Sequence, residues 1–507
     1  MMESTQQLPG KSLTALLEGV SVKEEIPALE ISDVTSNSKA VIKGALFIAL
    51  KGMQTHGIDF AIDAARAGAA VIMYDSLDCY CQQRIPLLQK QVNTRWLGIE
   101  HLDRVNGEIV SRFYDEPGRD MTIIGVTGTD GKSSVTHLIT QALDRLGKRT
   151  GSIGTLGYGM GNKLESTTHT TPDAVMLQSC LYQFRQQNCE YVTMEVSSHA
   201  LEQYRVNGCQ FDIAVLTNLG RDHLDYHGDI ENYSAAKSRL FTDFELNGRV
   251  INANDEFGRT LADMFQTEPV ICYSSSDNAS DDVEVRLRKN NITSQGQDMV
   301  VDTPVGEIRA NTALMGNFNV DNTLACISSL ISLGFSREEI NLAVADLQPI
   351  PGRMETFTSD SDMATAVVDF AHTEQALRAC LAASREHTRG KLWCIFGCGG
   401  DRDQGKRIGM GRAAEQLADY VIVTDDNPRT ESPEHIVSDI LTGMNDPDKV
   451  NVVHNRLAAI EFALSQAASD DLVVIAGKGH EQEQIIGHER YPFSDRHVVE
   501  RIMRAGK

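Results

Sequence analysis

The chain has 507 residues, with 47 Lys+Arg against 70 Asp+Glu and a net charge of −23. That balance argues against nucleic acid or an anionic membrane surface as the main partner, while leaving room for small anionic ligands held at local basic sites. At roughly 150 residues per domain, the length predicts about three α/β domains.

The N-terminus, MMESTQQLPGK, is polar and lacks the apolar core of a signal peptide. No stretch approaches the roughly 18 apolar residues that membrane insertion needs. Residues 1–118 read as a small α/β domain. Gly44 to Gly52 encloses a strand, Phe60 to Gly68 a helix, and Ala69 to Tyr74 the next strand. Cys79-Tyr-Cys81 lacks zinc-ligand spacing, and the 10 cysteines are scattered. They read as reduced thiols of a cytoplasmic protein. The Pro117-Gly118 turn marks a boundary.

Residues 119–352 open on the most informative stretch. Met121-Thr-Ile-Ile reads as a buried strand, Gly125-Val-Thr-Gly-Thr-Asp-Gly-Lys132-Ser-Ser134 as a glycine loop, and the run from Val135 as an amphipathic helix. Strand, glycine loop, Lys-Ser and helix form the context of a phosphate-binding loop, although Val126 stands where the pattern has its first Gly. Backbone N–H groups and the helix N-terminus would hold phosphate. Lys132 would reach the β and γ phosphates, and a hydroxyl of Ser133 or Ser134 could ligate Mg²⁺. Further on, Tyr191 to Glu195 and Phe211 to Asn218 read as strands that end in polar groups, at the sheet edge where ligands bind in parallel α/β folds. Gly220-Arg-Asp-His223-Leu-Asp-Tyr-His227 adds more polar groups, and Gln348-Pro-Ile-Pro-Gly352 reads as a linker.

Residues 353–507 carry four buried-type strands separated by helical stretches, which predicts a doubly wound, Rossmann-like sheet. Each strand ends in a polar or glycine cluster: Asp369-Phe-Ala-His372, Gly399-Gly-Asp-Arg402, Asp425-Asp-Asn-Pro-Arg429 and Gly477-Lys-Gly-His-Glu481. Four such ends on one edge predict a binding crevice.

Across its whole length the chain resembles the Mur ligase family, the amide-forming synthetases of peptidoglycan precursors. The resemblance rests on the Gly128-Thr-Asp-Gly-Lys-Ser-Ser134 loop, Met194-Glu-Val-Ser-Ser-His-Ala-Leu, Thr217-Asn-Leu-Gly-Arg-Asp-His-Leu-Asp-Tyr-His-Gly and Gly316-Asn-Phe-Asn-Val-Asp-Asn. Asp426-Asn-Pro-Arg429 and Gly477-Lys-Gly-His-Glu481 resemble the members that add meso-2,6-diaminopimelate to UDP-N-acetylmuramoyl-L-alanyl-D-glutamate. Asp130 replaces a usual Asn, with its side chain expected to face away from phosphate. Asn37-Ser38-Lys39 stands for Asp-Ser-Arg, and Phe370 and Glu374 replace Tyr and Pro.

The implied reaction uses ATP to convert a carboxylate to an acyl phosphate, which an amine then traps. Both steps concentrate negative charge, so cations matter more than a protein nucleophile. The resemblance implies catalytic roles for Lys132, Glu195, His223 and Lys237, with Ser133, Ser134, Glu195, His223 and a carbamylated Lys237 around Mg²⁺. ATP would meet Gly128, Thr129, Asp130, Gly131, Lys132, Ser133 and Ser134, with Asn319 and Asn322 toward adenine and Arg353 and Asp369 toward phosphate and ribose. Ser36, Ser38, Met53, Gln54 and Thr55 would hold the uridine part of the UDP-N-acetylmuramoyl dipeptide. Thr170, Thr171, Ser197, Gln203 and Arg205 would hold its muramoyl peptide. Arg402, Asp426, Asn427, Pro428, Arg429, Gly477 and Glu481 would line the pocket for meso-diaminopimelate, where arginines take carboxylates and Glu481 an ammonium.

Three other readings compete. A lysine-adding sister enzyme would bring an ammonium tail that Arg429 repels. A folylpolyglutamate synthetase would lack the Asp-Asn-Pro-Arg quartet and would not need the domain before residue 118. A regulatory ATP-binding protein would not need to keep Lys132, Glu195, His223 and Lys237 together.

Overall fold

Alternating strand residues of the N-terminal sheet point to opposite faces, and both faces are apolar. This is why these strands read as continuous hydrophobic runs. The computed structural model describes residues 9–52, 55–161, 163–167, 169–276, 283–359 and 363–505. Val34–Thr35, Leu46–Ala49, Val71–Asp75 and Arg95–Ile99 form a four-stranded parallel sheet. Leu46, Ile48, Val71, Met73 and Leu97 pack on one side with helix Leu102–Phe113. Phe47, Ala49, Ile72 and Trp96 pack on the other with helices Ala61–Ala67 and Cys79–Leu88.

The chain divides into two compact units, residues 1–251 with 255–270, and residues 252–254 with 271–507. Besides the N-terminal sheet, the first unit holds the strands Thr150–Gly154, Tyr191–Glu195, Thr122–Thr127, Ile213–Leu216 and Gly248–Asn252, which neighbour one another in that order and run parallel. Gly157–Met160 and Lys163–Glu165 extend this sheet as an antiparallel hairpin. Helix Lys132–Arg145 begins at the lysine itself, three residues earlier than the apolar periodicity predicts. The periodicity marks only the buried face, whose first member is Val135.

In the second unit, Glu355–Phe357, Thr365–Asp369, Leu472–Ala476, Leu392–Phe396, Tyr420–Val423 and Asn451–Val452 form a six-stranded sheet in that order, parallel except for its first strand. Helices cover both faces, so the predicted doubly wound sheet is present. Because the four central strands run the same way, their C-terminal clusters share one edge. The antiparallel strands Val285–Thr293, Gly296–Asp302 and Ile308–Thr312 were not predicted. Their solvent-facing charges hide the alternation expected of a half-buried ladder. No helix among the described residues is long and apolar enough to cross a membrane.

Candidate active site

The glycine loop of the first unit is built around a steric demand. Gly128 has φ +151°, and a Cβ there would fall 1.8 Å from the Thr217 hydroxyl oxygen. Only glycine fits, and the loop continues to Gly131, whose φ of +81° caps helix Lys132–Arg145. Thr217 donates to the Asp130 carbonyl at 2.6 Å, and the Asn218 side chain accepts from the Asp130 N–H at 3.0 Å. Asp130 itself is exposed. Lys132 Nζ donates to the carbonyls of Gly128 (2.9 Å) and Thr129 (2.8 Å). The Thr129 hydroxyl accepts from the Gly220 N–H at 2.8 Å, which ties the loop to the stretch carrying His223.

At the end of strand Tyr191–Glu195, Glu195 is buried. Ser133 Oγ donates to its Oε2 at 2.8 Å, while the Thr155 N–H and hydroxyl donate to Oε1 (2.8 Å) and Oε2 (3.1 Å). Burial pushes the Glu195 carboxyl up, against the lowering pull of Thr155, Ser133 and Lys132. A buried carboxylate beside a serine hydroxyl is a hard-oxygen set that suits Mg²⁺.

Lys237, on helix Ile230–Thr242, is buried and donates to the same Gly128 carbonyl at 2.7 Å, over the face of Tyr233. Burial and the nearby Lys132 hold its pKa down at about 7. His223 has φ +54° and a half-exposed side chain whose Nε2 lies 3.4 Å from Asp222. Its ring meets His199 edge-on at 4.8 Å, and His199 packs on Tyr226 and His227. Burial and the neighbouring imidazoles hold His199 down at about 4, so it is a neutral ring at physiological pH. Sequence reasoning quoted His199 and His227 within motifs but gave them no role, because a packed aromatic cluster has no linear spacing.

A cavity of about 830 Å³ in the same unit is lined by Ser36, Thr55, His169, Asp173, Gln203 and Arg205, among others. Arg205 donates twice to the Gln203 oxygen and once to the Thr171 carbonyl, and Gln203 donates to Tyr226. Ser38 starts a short 3₁₀ turn and does not line this cavity. Met53 and Gln54 lie outside the described residues. Thr171 is fully buried and bonded to the Glu195 carbonyl and the Ser197 N–H, and Ser197 caps helix Ser198–Glu202. Both hold the strand end in place. Thr170 accepts from Thr155. His56, Asp78 and Cys81 also converge here. Since the Ile58 N–H donates to His56 Nδ1, neutral His56 carries its proton on Nε2, where it faces Asp78 rather than offering a lone pair.

In the second unit, Asp369 is buried and accepts from the N–H groups of Met354 (2.8 Å) and Ala371 (2.8 Å). Arg353 is exposed, with its guanidinium over Phe370. Asn319 and Asn322 are buried on helix Phe318–Ser332, where Asn319 donates to the Met315 carbonyl and Asn322 to Asn319.

The clusters after Leu392–Phe396, Tyr420–Val423 and Leu472–Ala476 converge. Arg429 takes a left-handed backbone (φ +52°), and its Nη1 donates to the Gly400 carbonyl at 2.8 Å. A Cβ at Gly399 would crowd that nitrogen at 3.0 Å. Buried Arg407 fixes this arrangement by pairing with Glu431 through both nitrogens at 2.7 Å. Arg402 is exposed on the neighbouring loop, and Pro428 is buried. Asn427 Nδ2 donates to Glu481 Oε2 at 3.0 Å. Asp426 is buried beside Gly477, whose φ is +120°, and burial pushes its carboxyl up against the opposing pull of Arg456 and Lys478. Lys478, fully buried among these groups, was not singled out from the sequence.

The chain matches profiles described as the Mur ligase family catalytic domain over residues 30–114, the Mur ligase middle domain over 126–330 and the Mur ligase glutamate ligase domain over 352–479. A UDP-N-acetylmuramoyl-L-alanyl-D-glutamate–2,6-diaminopimelate ligase of Coxiella burnetii is 42% identical over 488 residues, covering 96% of this chain and 98% of that protein. The Pseudomonas aeruginosa enzyme of the same name is 43% identical, covering 94% and 96%. A solved structure under that name superposes with a TM-score of 0.77 at 33% identity over 98% of this chain and 99% of that one. A Mycobacterium tuberculosis folylpolyglutamate synthase, complexed with ADP and AMPPCP, shares the fold at TM-score 0.55 and 19% identity over 74% of this chain and 92% of its own.

Proposed function

The chain belongs to the Mur ligase family, and on that footing we propose that it is the ATP-dependent ligase joining meso-2,6-diaminopimelate to UDP-N-acetylmuramoyl-L-alanyl-D-glutamate in peptidoglycan precursor synthesis. The observation that carries the reading is near-full-length identity to ligases of that name, together with an arginine held on the Asp426-Asn-Pro-Arg429 loop. In this reading residues 1–118 hold the UDP-muramoyl part, 119–352 hold ATP, and 353–507 hold the amino acid. Ten free cysteines fit a cytoplasmic enzyme.

The terminal D-glutamyl carboxylate oxygen attacks the γ-phosphorus of ATP, and ADP leaves. The amine of diaminopimelate then attacks the acyl phosphate, loses a proton, and phosphate departs. Lys132 leaves its two loop carbonyls to neutralise the transferring phosphoryl group, and the loop N–H groups orient it. Ser133 and Glu195, with Ser134 alongside, would hold one Mg²⁺, and His223 and carbamylated Lys237 a second; bound, Mg²⁺ neutralises charge on phosphate and acyl oxygens. Lys237 suits carbamylation because a pKa near 7 leaves much of it as free amine. Its nitrogen adds to CO₂, a C–N bond forms, a proton is released, and the side chain becomes an anion. Gln203 and Arg205 orient the muramoyl peptide in their cavity.

The test is ADP release from the purified protein with UDP-muramoyl dipeptide and a panel of amino acids. Turnover with meso-diaminopimelate and little with L-lysine, L-alanine or L-glutamate is the expected result. Comparable kcat/KM for lysine and diaminopimelate, or turnover only with a folate and glutamate, would replace this reading.

A further inference from the structure

Lys478 is 0% exposed, and nothing in the chemistry above uses it. Its ammonium donates to Asn427 Oδ1 at 3.0 Å and Glu481 Oε2 at 2.8 Å, and it lies 3.8 Å from Asp426. We infer that Lys478 is a positioning residue that presets the polarity of the amino-acid pocket by orienting the Asn427 amide and turning one oxygen of Glu481 toward the substrate ammonium. This rests on the amino-acid-pocket reading above.

The argument starts from donors and acceptors. Asn427 Oδ1 also receives the Ile485 N–H at 2.9 Å. A lysine ammonium and a backbone N–H can only donate, so the asparagine oxygen must face both, and the amide cannot flip. Its Nδ2 is thereby aimed at Glu481 Oε2, which accepts from Asn427 at 3.0 Å as well as from Lys478. Oε1 is left with no partner among the described residues, on a side chain that is 33% exposed. Burial alone would push the Glu481 carboxyl up, but the Lys478 ammonium and the Asn427 bond outweigh it and hold it below the usual range. The substrate's α-ammonium therefore meets an ionised carboxylate already locked in direction, and binding does not have to order that side chain.

The same frame supports Arg429. Gln484 donates to the Asp426 carbonyl at 2.7 Å, the Arg429 N–H to the Ile485 carbonyl at 3.1 Å, and the Gly487 N–H to the Arg429 carbonyl at 2.7 Å. The hairpin of Glu483–Ile486 and Glu489–Pro492 thus holds the loop from the side, while Lys478 holds it from within.

Steady-state kinetics of Lys478→Met in the full-length enzyme test this. KM for meso-diaminopimelate should rise about 10- to 100-fold, while KM for ATP and for UDP-muramoyl dipeptide stay within about twofold. A purely structural role would move all three KM values together, and a KM for diaminopimelate within about twofold of the parent would also overturn the inference. Should Lys478→Met not fold, Lys478→Gln is read in the same assay with the same criteria. The parent enzyme, run alongside, separates the readings: failure of the parent to use diaminopimelate sinks the pocket itself, whereas a selective parent with an indifferent Lys478 variant sinks only the role of Lys478.

Discussion

Lys237 is a lysine whose surroundings disfavour its own charge. Burial and Lys132 hold it at about 7 against an ordinary 10.5. Between those two values the unfolded chain binds a proton that the native chain does not, so stability from this group rises with pH across that window and is lost as pH falls toward 7. Lys237→Met should therefore melt above the parent at pH 7 in CO₂-free buffer, with the advantage shrinking toward pH 10; a parent Tm that does not rise relative to the variant over that range would contradict the buried amine. In activity, Lys237→Ala should lose on the order of 10²-fold in kcat and recover part of it with added formate or acetate, since an anion rather than a proton is missing. Full activity without any added anion would remove the carbamate from the scheme. Lys132→Ala should lose about 10²–10³-fold in kcat while keeping its Tm, because its Nζ touches only loop carbonyls; unchanged ADP production by the folded variant would end the phosphate-loop reading. The types of these residues were legible in the sequence. Their partners were not: Lys237 meets Gly128 across 109 positions, and no spacing rule reaches that far.

At the scale of elements, strand ends were the readable feature. Each parallel strand announced itself as an apolar run, and what followed it was polar or glycine, so Asp369, Asp426 and Gly477 could be placed on one edge before any coordinate was known. What joins those ends was not readable, because buried pairs such as Arg407–Glu431 and Arg456–Asp495 link positions 24 and 39 residues apart. Within the glycine loop, conformation and packing impose one constraint. Gly128→Ala would put a methyl against the Thr217 oxygen and strain a φ of +151°, costing about 1–3 kcal/mol. It should also abolish nucleotide turnover, because the displaced backbone is the phosphate cradle. Gly128→Ala/Thr217→Ala should regain part of the stability by removing the clashing hydroxyl, and should regain little turnover because the backbone strain remains. A single variant as stable and active as the parent would show that the loop tolerates a side chain.

For the whole molecule, composition bounded the size and the class but not the division into two units, because contact density rather than motif order draws that line. The cavity with Ser36, Thr55, Gln203 and Arg205 belongs to the first unit, and the cluster with Asn427, Arg429, Lys478 and Glu481 to the second. Each unit has its own sheet-centred apolar clusters, Leu46 with Met73 in one and Val367 with Phe396 in the other, and all 10 cysteines are free, so no disulfide joins them. Two transitions should therefore be resolved in scanning calorimetry rather than one two-state melt. A ligand at about 100 times its Kd stabilises the unit it binds by about 2.7 kcal/mol. UDP-muramoyl dipeptide should raise one transition, and meso-diaminopimelate should raise the other. Because Arg429 and Glu481 recognise a carboxylate and an ammonium, L-lysine at the same concentration should shift the second transition less, and Arg429→Ala should erase the difference between the two amino acids. If both ligands moved the same transition, the dipeptide cavity and the amino-acid pocket would not lie in separate units as assigned, whatever the overall reaction proves to be.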